Sequence, residues 1–255
     1  VLISMSAISA PKVYGKLNIA VNNDGSDVTA NADNSNDIDL ISNASRLGFK
    51  GKVDMKNGLT GIYQIEYEVD ITNDDTKDKA FNQRNSFVGL KGNFGTFKLG
   101  TYDTPLKLAQ LKADLFNDLK GDIKNITDGE NRIGSFFGYD SPVFGGGVCI
   151  SLGLGKGEDD EEAGSDLDGE FGSNISISLK YDIDVIKFAF ATEKASIKGF
   201  DHNRLGMMIP AGPVTIGFIY TSTETTDISD GRDAVDYNAD DGCRMYVTLK
   251  PGTEV

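Results

Sequence analysis

Tryptophan is absent from the 255 residues, histidine occurs once and cysteine twice, and no stretch approaches the roughly 20 consecutive apolar residues of a membrane-spanning helix. The missing apolar run excludes a bundle of transmembrane helices. It leaves a β-barrel open, because the signal of each barrel strand is weak. His202 stands where a loop enters a strand, with no catalytic partner discernible in the sequence, and reads as a solvated surface residue. Gly153-Leu154-Gly155-Lys156-Gly157 lacks the helix and the Lys-Ser/Thr ending of a phosphate loop, and Asp166-Leu167-Asp168-Gly169 lacks the rest of a calcium loop. No enzyme, cofactor or metal site emerges. Cys149 and Cys243 follow no metal-ligand spacing and fall by strand parity on opposite faces, which argues against a disulfide. Basic residues are in deficit, 25 against 39 acidic ones for a net charge of −14, which argues against nucleic acid. Acids collect in polar stretches such as Glu158-Asp159-Asp160-Glu161-Glu162, read as solvated loops, with divalent-cation bridging to anionic lipid as the alternative.

What is present is alternation. In Val13-Tyr14-Gly15-Lys16-Leu17-Asn18-Ile19-Ala20-Val21, the residues Val13, Leu17, Ile19 and Val21 share one face, and Tyr14, Lys16, Asn18 and Ala20 the other. The pattern recurs along the chain and predicts about twelve strands: 12–22, 45–53, 59–69, 81–91, 96–102, 132–139, 148–155, 174–181, 185–193, 203–209, 214–221 and 244–249. Short turns join one set of ends, including Asn57-Gly58, and long polar loops the other, the first of them Asn23 to Asn43. The least strand-like stretch runs from Asp103 to Asn131, with a short helical piece expected within Leu106 to Leu119. Tyr63, Tyr67, Tyr139, Tyr181 and Tyr220 lie on the apolar face near strand ends, where an interfacial girdle would place them. A meander that is apolar outside and polar inside, with loops of unequal length at its two rims, is the pattern of a transmembrane antiparallel β-barrel. Residues 1–10 end in Ala7, Ser9 and Ala10 before Pro11 and read as the remnant of a signal peptide, leaving 11–255 as the barrel domain.

Val13-Tyr14-Gly15-Lys16-Leu17, Ser45-Arg46-Leu47-Gly48-Phe49-Lys50-Gly51, Arg84-Asn85-Ser86-Phe87-Val88-Gly89-Leu90 and Gly95-Thr96-Phe97-Lys98-Leu99-Gly100 resemble strands of Gram-negative general porins, and Arg132 continues the match. The resemblance implies a homotrimer of 16-stranded barrels in the bacterial outer membrane, among outer-membrane lipid and lipopolysaccharide. Its third loop would fold inward to narrow a water-filled channel for passive diffusion of small hydrophilic solutes and ions. On this chain the loop is Asp103 to Asn131, with Asp103, Asp114, Asp118, Asp122, Asp128 and Glu130 as its acidic residues. The opposing basic wall falls on Lys16, Arg46, Arg84 and Arg132. Parity independently puts these four cations on the polar face, and each would cost about 2–4 kcal/mol if it faced lipid at the bilayer midplane. A weak cation preference is expected from the acidic loops, tempered by a Debye length of about 8 Å at physiological salt. Compared with the family, roughly four C-terminal strands and the terminal aromatic residue are absent, so the chain reads as a fragment truncated at both ends. Two rivals stand beside this reading: a substrate-specific channel, disfavoured by the few inward aromatics (Tyr14, Tyr102, Phe136, Tyr246), and a secreted, calcium-stabilised β-rich adhesin, disfavoured by the polar faces of the second to fourth strands.

Overall fold

The computed structural model describes residues 10–23, 38–72, 81–156, 171–194, 200–225 and 242–251. Most of the leader reading, the acidic run at 158–162 and the calcium-like fragment at 166–169 lie outside the described residues, as does the Tyr246 side chain. The strands are β1 (Lys12–Lys16), β2 (Ile19–Asn23), β3 (Ile38–Ser42), β4 (Arg46–Asp54), β5 (Thr60–Val69), β6 (Phe81–Gln83), β7 (Ser86–Gly92) and β8 (Gly95–Asp103). After the helix α1 (Pro105–Leu108) come β9 (Arg132–Asp140), β10 (Val148–Lys156), β11 (Phe171–Ile183), β12 (Ile186–Lys194), β13 (Phe200–Ala211), β14 (Val214–Thr225) and β15 (Gly242–Pro251). One sheet runs β1-β4-β5-β7 and then in chain order to β15, with β6 also on β5; β2 and β3 pair separately. Successive strands pair antiparallel throughout, as in β11 on β12 and β13 on β14. Each of the twelve expected strands has a counterpart, in an all-β antiparallel fold.

Three details differ from expectation. Ile38–Ser42 is a strand, β3, inside what reads as the polar loop 23–43; its short alternation, Ile38-Asp39-Leu40-Ile41-Ser42, is masked by the polar residues before it. The first and fourth expected strands are each broken in two. At the first break, Ser45 bridges the gap, its Oγ accepting from Asn18 N at 3.0 Å, while Asn43 N donates to Asn18 O at 2.8 Å. The helical piece covers only Pro105–Leu108, started by Pro105 and by Thr104, which accepts from Lys107 N. The turn at Asn57-Gly58 takes the left-handed geometry its sequence signals, with φ of 64° and 73°.

The two faces of the sheet are inverted relative to a water-soluble protein. Along β11, Ile175, Ile177 and Leu179 are exposed, about 40% each, while Asn174, Ser176 and Ser178 between them are buried. Val13, Leu17, Ile19 and Val21 are likewise exposed, as are Val88 and Leu99. A water-soluble protein rarely exposes contiguous apolar surface beyond a few hundred Å², and alternation of this sense fits a sheet with lipid on one side. Aromatic rings collect on the outer face at the short-turn rim, with the Phe97 ring centroid 5.5 Å from Phe94 and 4.8 Å from Tyr139. They occupy the position of an interfacial girdle built without tryptophan.

The apolar core sits on the polar face, under the segment that links β8 to β9. Leu106 and Ala109 pack on Ala189 and Ala191 of β12, and Ala113 and Ile123 pack on Ile219 of β14. Contacts of this segment reveal the curvature of the sheet. Thr248 of β15 donates to Ala113 O at 2.6 Å, and Arg46 of β4 pairs with Asp118. Those strands are ten spacings apart on the path, about 48 Å in a flat sheet. Ala113 and Asp118 are separated by at most about 17 Å of chain, so the sheet is rolled around the segment. Its ends, β1 and β15, are not paired with each other among the described residues.

Candidate functional site

The segment 104–131 is held in shape by its own carboxylates. Asp114 accepts from Phe116 N at 2.9 Å and Ile123 N at 3.2 Å. Asp122 accepts from Asp118 N at 2.7 Å and caps the short 3-10 turn Ile123–Asn125 through Lys124 N. These bonds satisfy backbone donors that a segment without regular structure leaves unpaired. They present Asp118 at the tip with a positive φ of 69°. The segment also lies close to the wall because the wall is built of small residues there. A Cβ at Gly206 would collide with the Ala109 carbonyl, and one at Gly217 would crowd Ala113.

At the tip, Asp118 meets three wall cations at once: Arg46 in direct contact, Lys16 at 3.3 Å and Arg84 at 4.0 Å. Arg84 also carries two wall carboxylates, Glu66 at 3.1 Å and Glu68 at 2.7 Å, and Glu66 accepts from Tyr14 Oη at 2.9 Å. Arg132 stands elsewhere, at the foot of the segment. It is paired in register with Asp103, 3.0 Å away, and donates to Asn85 Oδ1 at 3.0 Å. Lys107 ties both limbs of the segment together, 3.5 Å from Asp103 and donating to Glu130 O at 3.1 Å. Glu130 contacts Arg204 of β13, and the carbonyl of Asp128 accepts from Arg204 Nη2 at 3.0 Å. Burial pushes the Glu130 carboxyl up, against the pull of Arg204 and Lys107.

Of the ten residues singled out in the sequence, the structure brings Lys16, Arg46 and Arg84 together on Asp118, and Arg132 together with Asp103. Asp114 and Asp122 accept from the segment's own backbone, while Asp128 and Glu130 lie at its return limb. Sequence reasoning missed Lys107, Arg204 and Lys98, the last paired with Asp140 at 2.8 Å and lying 4.1 Å from the Tyr102 ring centroid. Strand parity carries the signal for two of them, since Lys98 alternates with exposed Leu99 and Arg204 shares a face with Gly206. His202 is corrected by the structure: it lies inside β13, only 2% exposed, with Nδ1 3.1 Å from Thr223 Oγ1. It reads as a surface residue only because its strand begins three residues earlier than the alternation predicts. Cys149 is a free thiol. Among the described residues no cluster of His, Cys, Asp and Glu is arranged to hold a metal ion.

On the polar side of a rolled sheet, three cations thus converge on one carboxylate of the segment. The family model for Gram-negative porin matches residues 1–243. The chain is 34% identical over 106 residues to the major outer membrane protein P.IB of Neisseria gonorrhoeae, covering 40% of this chain and 30% of that protein. It is 36% identical over 109 residues to the protein of the same description from Neisseria meningitidis serogroup A, 42% of this chain and 32% of the other. The match thus spans about a third of the length of these relatives. In fold it is similar to the anion-selective porin from Comamonas acidovorans, with a TM-score of 0.58 and 21% identity, covering 84% of this chain and 68% of that one. It is also similar to OmpF of Salmonella typhi in complex with daunomycin, with a TM-score of 0.60 and 18% identity, over 84% and 66% of the two chains.

Proposed function

This chain belongs to the Gram-negative porin family, and on that premise we propose that it forms a water-filled channel for passive diffusion of small hydrophilic solutes and ions. It is a protein of the bacterial outer membrane and not an enzyme. The barrel is of the 16-stranded kind and assembles as a homotrimer among outer-membrane lipid and lipopolysaccharide. Segment 104–131 narrows the channel. Lys16, Arg46, Arg84 and Arg132 form its basic wall; Asp118 is the carboxylate that faces the first three, while Arg132 pairs with Asp103 at the segment's foot, where Glu130 also lies.

One observation carries the reading: a single segment on the polar face bridges strands ten spacings apart. The same face is lined with charged and small residues, while the opposite face is apolar. A secreted adhesin built as two stacked sheets would bury those apolar side chains instead. The field between Asp118 and the wall cations acts on every dipolar solute that passes and hinders apolar ones, which must displace oriented water. Single-channel recording in planar bilayers tests the proposal. Large conductance steps that disappear in groups of three, with a reversal potential of a few millivolts to a few tens of millivolts under a KCl gradient, are the expected result. A folded protein that inserts but conducts no ions contradicts it.

A further inference from the structure

We infer that Arg204 is the positioning residue that sets the width of the passage, by fixing the return limb of segment 104–131 to β13; this rests on the channel reading above. Arg204 has no solvent-exposed surface, which is unusual for an arginine and demands that its donors be used. Each of its three nitrogens has a partner: Nε donates to Thr221 Oγ1 at 3.1 Å on the neighbouring strand, Nη1 contacts Glu130, and Nη2 donates to the Asp128 carbonyl at 3.0 Å. Two of the three partners belong to the segment and one to the wall, so the guanidinium joins them.

The rest of the neighbourhood makes this joint directional. Next to Glu130, Asn131 donates to Glu193 Oε1 of β12 at 2.8 Å, and the return limb therefore has polar ties to two adjacent strands. Two residues along β13 from Arg204, Gly206 leaves the space that the Ala109 carbonyl of the outgoing limb occupies. The same face of one strand thus receives both limbs, one by close approach and the other by a buried ion pair. The outgoing limb is seated as well by Leu106 N donating to Ser176 Oγ at 3.0 Å and by the apolar contacts of Leu106 and Ala109. The tip is tied as well: of Asp118's partners Lys16 is about half exposed, whereas Arg46 and Arg84 are mostly buried. Tip and limbs therefore share the placement of the segment, and Arg204 fixes the return limb's part of it. Truncating Arg204 would leave Glu130 buried with Lys107, 4.0 Å away, as its one cationic partner among the described residues. The limb is then driven towards water, because a poorly compensated buried charge is costly.

The experiment compares wild type, Arg204→Ala, Arg204→Lys and Glu130→Gln in planar bilayers and in proteoliposomes, reading single-channel conductance, open-channel noise and the size limit for neutral sugars. Arg204→Ala is expected to change conductance by roughly twofold, raise the noise and shift the sugar size limit. Arg204→Lys, which keeps the charge but not the fork, is expected to fall between. A variant that loses heat stability yet keeps the wild-type conductance, noise and size limit overturns the inference, since that is what a merely structural arginine would do. Should Arg204→Ala fail to assemble, Glu130→Gln leaves every wall residue in place and tests the same contact, and wild-type behaviour there overturns the inference equally. Failure of the wild type itself to conduct would overturn the channel reading; a conducting wild type with indifferent variants overturns the role of Arg204 alone.

Discussion

Replacing Asp118 by Asn removes one charge at the point where three wall cations converge, while keeping the side chain's size and its capacity to accept from Arg46. The effect on ions can be worked from the geometry. An ion passing about 7 Å from the carboxylate in water feels about 0.6 kcal/mol, cut to about 0.25 kcal/mol by screening at physiological salt. That energy favours a cation and disfavours an anion by equal amounts, so the permeability ratio moves by twice as much. Removing it shifts the anion-to-cation ratio upward by about two- to about sevenfold, the larger value at low salt. Reversal potential under a KCl gradient, measured at two salt concentrations, reads this directly. A potential that does not move, or that moves towards cations, would refute the placement of Asp118 in the ion path. A shift independent of salt would refute the electrostatic origin.

Lys16→Ala removes a half-exposed partner of Asp118; stability is expected to change by less than about 1 kcal/mol, and reversal potential to move towards cations. Arg132→Ala breaks the contacts to Asp103 and Asn85 at the foot of the segment, with an expected loss of about 1.5–3 kcal/mol in a urea titration of folding into lipid. Ile177→Lys puts a charge on the apolar face of β11 and is expected to lower folding stability in lipid by about 2–4 kcal/mol if the residue is near the midplane. Gly206→Val drives a side chain into the Ala109 carbonyl; a cost of about 1–3 kcal/mol and faster proteolysis within 104–131 are expected, and wild-type proteolysis would show that the segment does not pack there.

The strands were legible because their faces meet different surroundings. Ile175, Ile177 and Leu179 against Asn174, Ser176 and Ser178 is a period-2 signal that needs no tertiary knowledge. The breaks at 17–18 and 84–85 were not legible, because they are closed by contacts between distant residues, such as Ser45 with Asn18. Parity also identified Lys16, Arg46, Arg84 and Arg132 as polar-face cations, yet not that Arg132 stands apart from the other three, which depends on the path of the segment. Within 104–131, composition offers five carboxyl groups as equals; only the fold distinguishes Asp118, aimed at the wall, from Asp114 and Asp122, which hold backbone amides. Arg204 and His202 carried the same parity signal as the wall cations, but their burial comes from the segment lying over them, and nothing local to β13 announces that.

The most direct test of the central claim is the swelling of proteoliposomes in neutral sugars of graded size. A passive channel narrowed by segment 104–131 predicts rates that fall smoothly with solute size and never saturate with concentration. Vesicles that stay impermeable to the smallest sugar, or that admit one sugar with saturation and exclude others of equal size, would contradict it.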